Sequence, residues 1–342
     1  VPSLLQVNVL TTQIFTQFCA FYNEKAATAI AFPLIVITFI LIMLEHIYMR
    51  GRSFEILGRT SSHNTIQYNI TWLNVVGITF CTLVLIICVI IPLSTLIFNT
   101  KTLSAYYDAV LLARNGITNS ILFGSIGATL LTFIGFFLGY LSENIRSRFK
   151  SSAAIFIWLF FAVPATVIGV GLIKLCNRPE GIFQFIYGSL WIVIIGYVAR
   201  FLPLSSRIMS NYLKQIPQSM EEAGTVTGAS WFRILGKILF PLQGYGLIAT
   251  WLISFMFCIG ELGTTLLVYP PGHETLPIAL FTVMANSPTD VVSALSIIIV
   301  VMTLLPVGVF LAVSKYLVLK PKLDYLWQLH NITNNPSLDG RG

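Results

Sequence analysis

Seven long apolar stretches constrain this chain more than any other feature of its sequence. They cover roughly residues 28–48, 74–97, 118–141, 153–175, 184–204, 244–268 and 291–315, each close to the ~20 residues that a membrane-crossing helix needs. Lipid cannot satisfy open backbone groups, and the runs are too long and too uniform for barrel strands. The sequence therefore predicts an all-α, polytopic membrane protein with about seven transmembrane helices.

The composition supports lipid as the main solvent of this chain. Hydrophobic residues make up 56% of the sequence and charged residues only 10%, whereas a soluble domain carries about 25% charged residues. The net charge of +7 is better explained by Lys and Arg facing the cytoplasm than by a nucleic-acid partner. The five cysteines form no CxxC pair, so we interpret them as packing residues and predict neither a metal site nor a disulfide framework.

The distribution of Lys and Arg gives the orientation. The loops on the side of residues 50–73 hold thirteen of these residues, and the opposite side holds five. By the positive-inside rule, the polar stretch 205–243 is cytoplasmic and the segment 269–290 is external. We expect Arg200 to lie near a cytoplasmic helix end, where its side chain can reach the interface.

The cytoplasmic stretch contains a predicted helix–turn–helix at residues 217–241. Pro217 is suited to the first turn of a helix, and Glu221 and Glu222 follow where they complement the positive helix end. Gly228 is suited to ending that helix with a positive φ. A second segment has apolar residues at helical spacing and ends at Pro241. Two interpretations remain open, an amphipathic helix resting on lipid headgroups or a docking element for a soluble partner.

The spacing within this segment resembles the EAA loop of permeases in binding-protein-dependent ATP-binding-cassette importers. Glu222, Ala223, Gly224 and Gly228 are followed after nine residues by Ile238, which lies three residues before Pro241. Gly224 stands where the family pattern has Ala, and Phe240 where it has Leu. We expect Gly224 to loosen the helix by ~1 kcal/mol relative to Ala. The resemblance covers about residues 70–318.

The resemblance implies a transport subunit without an enzymatic site of its own. In the family the loop is a coupling helix that docks on a separate nucleotide-binding ATPase, and the residues of this chain carried over are Glu221, Glu222, Ala223, Gly224, Gly228, Ile238 and Pro241. The chain itself lacks the GxxxxGK[ST] pattern of a nucleotide site. The expected partners are ATPase subunits that use ATP, a periplasmic substrate-binding protein, a second permease unit and the bacterial inner membrane. We expect this chain to bind no cofactor and no nucleic acid.

Glu261 is the one acidic residue deep within an apolar run. An intramembrane carboxylate is costly unless it is paired, protonated or hydrated, and so marks a functional candidate. The neighbouring Gly260 and Gly263 indicate irregular, closely packed backbone. One interpretation places these three residues at the path or gate of the transporter. The other is a carboxyl group that is hydrogen-bonded to backbone at a helix end.

An internal repeat provides the predicted domain organisation. Residues 10–49 resemble residues 276–315, each having an apolar helix, a short polar turn and a final span, although chance similarity between apolar spans is the alternative. We therefore predict a remnant of a first permease unit at 1–50, a cytoplasmic linker at 51–73, a complete six-span unit at 74–318 and a cytoplasmic tail at 319–342. Such a fusion resembles the two-unit iron(III) permeases, with thiamine and phosphonate importers as relatives.

The predicted function is therefore a permease subunit that conducts iron(III) or another small solute such as thiamine or phosphonate. The alternative is an ion-coupled secondary transporter. That function class predicts several polar or charged residues at mid-membrane, and Glu261 alone comes close to this pattern.

Overall fold

The computed structural model describes residues 9–49, 71–144 and 163–334, and every regular element in these ranges is helical. The predicted linker lies almost wholly outside them, as do residues 335–342 of the predicted tail. The helices are α1 (Leu10–Cys19), α2 (Glu24–Met49), α3 (Thr71–Leu85), α4 (Ile91–Asn99), α5 (Leu103–Leu112), α6 (Arg114–Asn144), α7 (Ala165–Cys176), α8 (Gly181–Tyr187), α9 (Trp191–Leu213), α10 (Gln218–Val226), α11 (Trp231–Ile234), α12 (Phe240–Leu242), α13 (Gly244–Ile259), α14 (Thr265–Val268), α15 (Leu276–Val283) and α16 (Thr289–Asn334). One π-helical turn joins α3 to α4 and another joins α11 to α12.

The described helices confirm an all-α membrane protein. Four segments are long and apolar enough to cross a bilayer, and a fifth arises if the pair Trp231–Leu242 and Gly244–Ile259, bent by 73°, is one span. The four segments are Val75–Asn99, Arg114–Glu143, Trp191–Leu213 and Thr289–Val313. Of the other predicted spans, 28–48 lies within α2, and 153–175 is described only from residue 163 onward, where α7 forms.

Two predicted spans have the wrong bounds. The span predicted at 184–204 begins only at Trp191, because a turn at Gly188 separates it from α8, and it continues to Leu213. The span predicted at 244–268 stops at Ile259, and its last four residues form the separate helix α14. Mean hydropathy does not detect such turns, since most of the residues in them are small or apolar.

Close contact between α6 and α9 organises the bundle. A Cβ added at Gly139 of α6 would lie 2.9 Å from the backbone N of Ser210 and 3.0 Å from the carbonyl O of Ser206, both in α9. At Gly135 an added Cβ would lie 2.7 Å from the Ser205 hydroxyl oxygen. Small residues at a helix crossing let the backbones approach within membranes, where apolar burial gives little driving force.

A methyl group at Gly139 is expected to disturb this crossing. We expect Gly139→Ala to lower the free energy of unfolding in detergent by about 1–3 kcal/mol, because the contact is to backbone that cannot move aside. The matched control is Gly77→Ala in α3, where an added Cβ meets nothing within 4 Å. There the higher helix propensity of Ala gives about 0.5–1 kcal/mol of stabilisation. Equal melting temperatures of Gly139→Ala and Gly77→Ala would contradict the close contact between α6 and α9 at Gly139.

The N-terminal helices pack against α7. Ile14 of α1 and Ala27 and Ala31 of α2 are buried together, with Val167 of α7 packed on them. A cavity of about 170 Å³ lies between these elements. The pair α1–α2 has the same arrangement as α15–α16, a short helix followed by a long one. The assignment of residues 1–50 to a preceding permease unit stays a prediction.

The chain divides into two compact units, residues 1–299 and 300–342. The core of the first unit lies between α6, α7, α9 and α13 and includes Phe123, Leu131, Leu172, Tyr197 and Cys258. The described part of the second unit, residues 300–334, is helical throughout.

Candidate functional site: a helical hairpin and a break in a membrane span

The predicted helix–turn–helix at 217–241 is present in the structure. Pro217 precedes α10, and Glu221 lies in the first turn of that helix. Gly228 has φ of +77°, as predicted for the residue that ends it. After this turn α11, a π-helical turn and α12 lead into α13. We call residues 217–241 the hairpin.

The hairpin is held against the bundle through Glu221. The Tyr140 hydroxyl of α6 donates a hydrogen bond of 2.9 Å to Glu221 Oε2. The Tyr140 ring also lies 6.2 Å from the ring of Trp231 in α11. Both arms of the hairpin therefore contact the same residue of α6.

An apolar cluster anchors the second arm. It contains Phe136 of α6, Met209 and Leu213 of α9, and three residues of the hairpin. Those three residues are Ile234, Leu235 and Leu239. Because this side of the second arm is buried in protein, the segment is part of the folded bundle rather than a loose connector.

Gly224 allows the two arms to approach each other. A Cβ at this position would lie 3.0 Å from Ile234 Cγ1 and 3.3 Å from Ile238 Cδ1. Helix propensity alone indicated only that Gly224 loosens its helix. The structure adds that a Cβ here would require the side chains of Ile234 and Ile238 to shift by a few tenths of an ångström.

The opposite face of α10 is open. Glu222 is exposed, and within the described residues its carboxylate has no hydrogen-bond or ion-pair partner. Val226 on the same helix is 87% exposed. Ala223 and Pro241 are exposed and Ile238 is half-buried.

An open groove of about 450 Å³ lies between the two arms of the hairpin. It is lined by Met220, Ala223, Gly224, Thr227, Lys237, Ile238, Pro241 and Leu242.

The second candidate site surrounds Glu261, at the point where the predicted span 244–268 is interrupted after α13. We call residues 260–264 the span break. The Glu261 side chain is 6% exposed, and its Oε2 lies 2.9 Å from Arg200 Nε of α9. Its Oε1 accepts a hydrogen bond of 2.7 Å from the backbone N–H of Thr264. The structure matches the second interpretation of Glu261, a carboxyl group that is hydrogen-bonded to backbone at a helix end, whereas a place at the path or gate stays a prediction.

The backbone of the span break packs closely at Gly263. A Cβ added there would lie 2.6 Å from the Ala165 Cβ of α7. The Thr264 hydroxyl donates to the Ala165 carbonyl at 3.2 Å, and the Thr264 methyl group lies 3.1 Å from the position of a Cβ at Gly196 in α9. At Gly260 the nearest contact of an added Cβ, at 3.5 Å, is an ordinary one, so the predicted close packing is found at Gly263 and not at Gly260.

The expectation for Arg200 is wrong. It lies nine residues after the start of α9 and thirteen before its end, and it pairs with Glu261 instead of reaching the cytoplasmic interface. The helix extends nine residues beyond the predicted end of the apolar stretch at residue 204, which places Arg200 near its middle. The sequence did contain a signal for the Arg200–Glu261 pair: each of the two charged residues lies within an apolar run.

Hydrogen bonds join the predicted external segment 269–290 to the first turns of α6. Asn119 Nδ2 donates to the Glu274 carbonyl at 2.9 Å, and the Ser120 hydroxyl oxygen accepts from the Leu276 N–H at 2.7 Å. The His273 ring lies 5.9 Å from that of Phe123. Within 9–49, 71–144 and 163–334, no group of three or more His, Cys, Asp or Glu residues is placed to hold a metal ion.

Comparison with known proteins gives one family match and several relatives. The family model "Binding-protein-dependent transport system inner membrane component" matches residues 132–322. The putative 2-aminoethylphosphonate transport system permease protein PhnV of Salmonella typhimurium is 32% identical over 145 residues, 42% of this chain and 53% of that protein. The Fe(3+)-transport system permease protein FbpB 2 of Haemophilus influenzae is 23% identical over 313 residues, 89% of this chain and 60% of that protein.

Solved structures share the fold. A crystal structure of a bacterial ABC transporter involved in the import of the acidic polysaccharide alginate superposes with a TM-score of 0.60 at 12% identity. The match covers 72% of this chain and 96% of the other. This chain spans only about half to three-fifths of the length of the curated relatives described above.

The family match includes the hairpin, the span break and more than half of the chain. With the apolar helices, it identifies a multi-pass protein of the bacterial inner membrane. The chain belongs to the family of binding-protein-dependent transport system inner membrane components.

Proposed function

We propose that this chain forms part of the solute path of an ATP-driven importer and is driven by a separate ATPase that docks on the hairpin. The observation that carries the proposal is the hairpin itself. One face is fixed to α6 and α9 through Glu221 and the apolar cluster, while the other exposes Glu222 and Val226. A rigid element with one anchored and one open face is suited to passing a movement of a partner to the membrane helices.

The partner on the open face is proposed to be the ATPase rather than the lipid surface. An interfacial helix binds the membrane through an apolar face with basic residues around it. The exposed face of α10 carries Glu222 instead, and an acidic group is unsuited to an anionic lipid surface. The second arm carries two exposed basic residues, Arg233 and Lys237, and Lys237 lines the groove.

Further partners follow from the same proposal. A periplasmic substrate-binding protein would deliver the solute, and a second permease unit would complete the path. The second unit is proposed to lie in the same, longer chain, because the alignment with the iron transport permease extends over 89% of this chain yet covers 60% of that relative. ATP would be used by the partner ATPase.

The proposed substrate is iron(III), with a phosphonate or thiamine as the other candidates. The support for iron is that same long alignment. The relatives also include permeases named for 2-aminoethylphosphonate and for spermidine and putrescine. Selectivity is proposed to rest mainly with the binding protein, so the ligand of that protein names the solute.

Uptake by proteoliposomes tests the proposal against an ion-coupled carrier. The complex of this chain with its binding protein and ATPase is reconstituted, and uptake is measured with ATP or with a proton or sodium gradient. We expect uptake with ATP and none with a gradient alone. Uptake driven by a gradient after the ATPase has been omitted would overturn the proposal in favour of a secondary transporter.

A further inference from the structure

A single carboxylate joins three elements at the span break. Glu261 Oε2 lies against Arg200 of α9, and Glu261 Oε1 accepts from the Thr264 N–H within the break. Thr264 in turn donates its hydroxyl hydrogen to the Ala165 carbonyl at the start of α7. Each contact uses a different atom, so the three do not compete.

The Glu261 carboxylate supplies a hydrogen-bond acceptor to the backbone of the span break. Within a span, N–H groups released by a helix break need a partner, because neither lipid nor apolar side chains supply one. Glu261 provides that partner for Thr264 from within the break itself. Its position therefore fixes the conformation of the break, and Arg200 fixes its position.

The group covered by this arrangement is the thiol of Cys258, one turn before Glu261. Cys258 is 0% exposed and belongs to the same cluster as Tyr197 of α9. Its Sγ would lie 3.3 Å from a Cβ at Gly127 of α6. Because α6, α9 and α13 enclose the thiol, a separation of the break from α9 would expose it.

We propose that Arg200 is a positioning residue that latches the span break: its ion pair with Glu261 holds the break closed against α9 and α7 and keeps Cys258 covered. The pair must separate for the proposed path to open at this level. The inference rests on the proposed function, because it assigns the latch to a transport path.

A second ion pair, between Lys214 directly after α9 and Glu143 of α6, differs in its surroundings. Lys214 Nζ lies 3.5 Å from Glu143 Oε1, with exposed side-chain fractions of 49% and 18% against 28% and 6% for Arg200 and Glu261. The Lys214–Glu143 pair joins two continuous helices and does not contact a break. It therefore serves as the matched control.

The test measures how fast N-ethylmaleimide modifies Cys258 in the purified full chain, using peptide mass spectrometry. The variant is Arg200→Met/Glu261→Gln, in which the introduced amide keeps an oxygen for the Thr264 N–H and no charge is left unpaired. We expect modification about tenfold faster than in the wild type, because a buried group reacts through local opening.

Two controls accompany this measurement. The control variant Lys214→Met/Glu143→Gln should leave the rate at Cys258 unchanged. Cys176, 3% exposed at the far end of α7, reports general loosening.

Two results would overturn the proposal. One is a Cys258 rate that stays at the wild-type value in the Arg200→Met/Glu261→Gln variant. The other is an equal rise at Cys258 and Cys176, which would mean that the pair stabilises the whole bundle. The measurement needs neither ATPase nor binding protein, so a failed latch and a failed importer are told apart by whether ATP-driven uptake persists.

Discussion

Arg200→Met is expected to lower the free energy of unfolding by about 3 kcal/mol and to reduce sharply the amount of folded protein recovered from membranes. The reason is the carboxylate that remains. Glu261 is 6% exposed and would keep its hydrogen bond from Thr264, but its charge would have no cation opposite it. Removing one partner of a buried pair costs more than the pair contributes, since the other charge stays buried. Thermal unfolding in detergent and fluorescence-detected size exclusion measure the effect.

A second substitution that restores stability would show that the loss in Arg200→Met comes from the unpaired charge of Glu261 and not from the smaller side chain at position 200. Arg200→Met/Glu261→Gln leaves no unpaired charge, so we expect it to recover most of the lost stability. Lys214→Met should cost less than about 1 kcal/mol, because the Lys214 side chain is 49% exposed. If Arg200→Met melts like the wild type, the ion pair does not stabilise the span break.

Glu222→Arg is expected to reduce ATP-driven uptake sharply while leaving the permease itself folded. The Glu222 carboxylate is exposed and has no partner in the described structure, so its loss should change the free energy of unfolding by no more than about 0.5 kcal/mol. A reversed charge within a docking surface costs about 2 kcal/mol or more, which is roughly a thirtyfold loss of affinity for the ATPase. Co-purification of the ATPase with the variant, followed by uptake with ATP, measures both effects.

The matched charge reversal is Glu180→Arg. Glu180 is also exposed, but it precedes α8 on the predicted external side. We expect this variant to retain the ATPase and to transport normally. Retention of the ATPase by Glu222→Arg at wild-type affinity would exclude the open face of α10 as the docking surface.

The hairpin could be predicted from sequence because its signals are local. Pro217, the acidic residues after it and Gly228 each act within a turn of their own position, and the φ of +77° at Gly228 is the conformation that glycine adopts at low cost. The contacts that anchor the hairpin could not be predicted. Tyr140 and Glu221 are 81 residues apart, and nothing in either neighbourhood indicates the other.

The span break illustrates the same limit within the membrane. The small residues around Glu261 indicated irregular backbone, and the helix does stop at Ile259. Which of the two glycines packs closely depends on α7, so Gly263 and Gly260 looked alike in the sequence. Arg200 was misplaced because hydropathy marks the apolar part of a helix and not its end. Its helix continues to Leu213 through polar residues that face α6.

The central claim is that an ATPase binds the open face of α10, and photo-crosslinking from position 222 tests it most directly. A photoreactive amino acid is placed at Glu222 and, as a control, at Ile78 of α3, which is 68% exposed on a span. In native membranes we expect position 222 to capture a polypeptide with a nucleotide-binding site, and position 78 to capture lipid. Capture of lipid alone from both positions would contradict the claim and would make the hairpin a membrane-surface element.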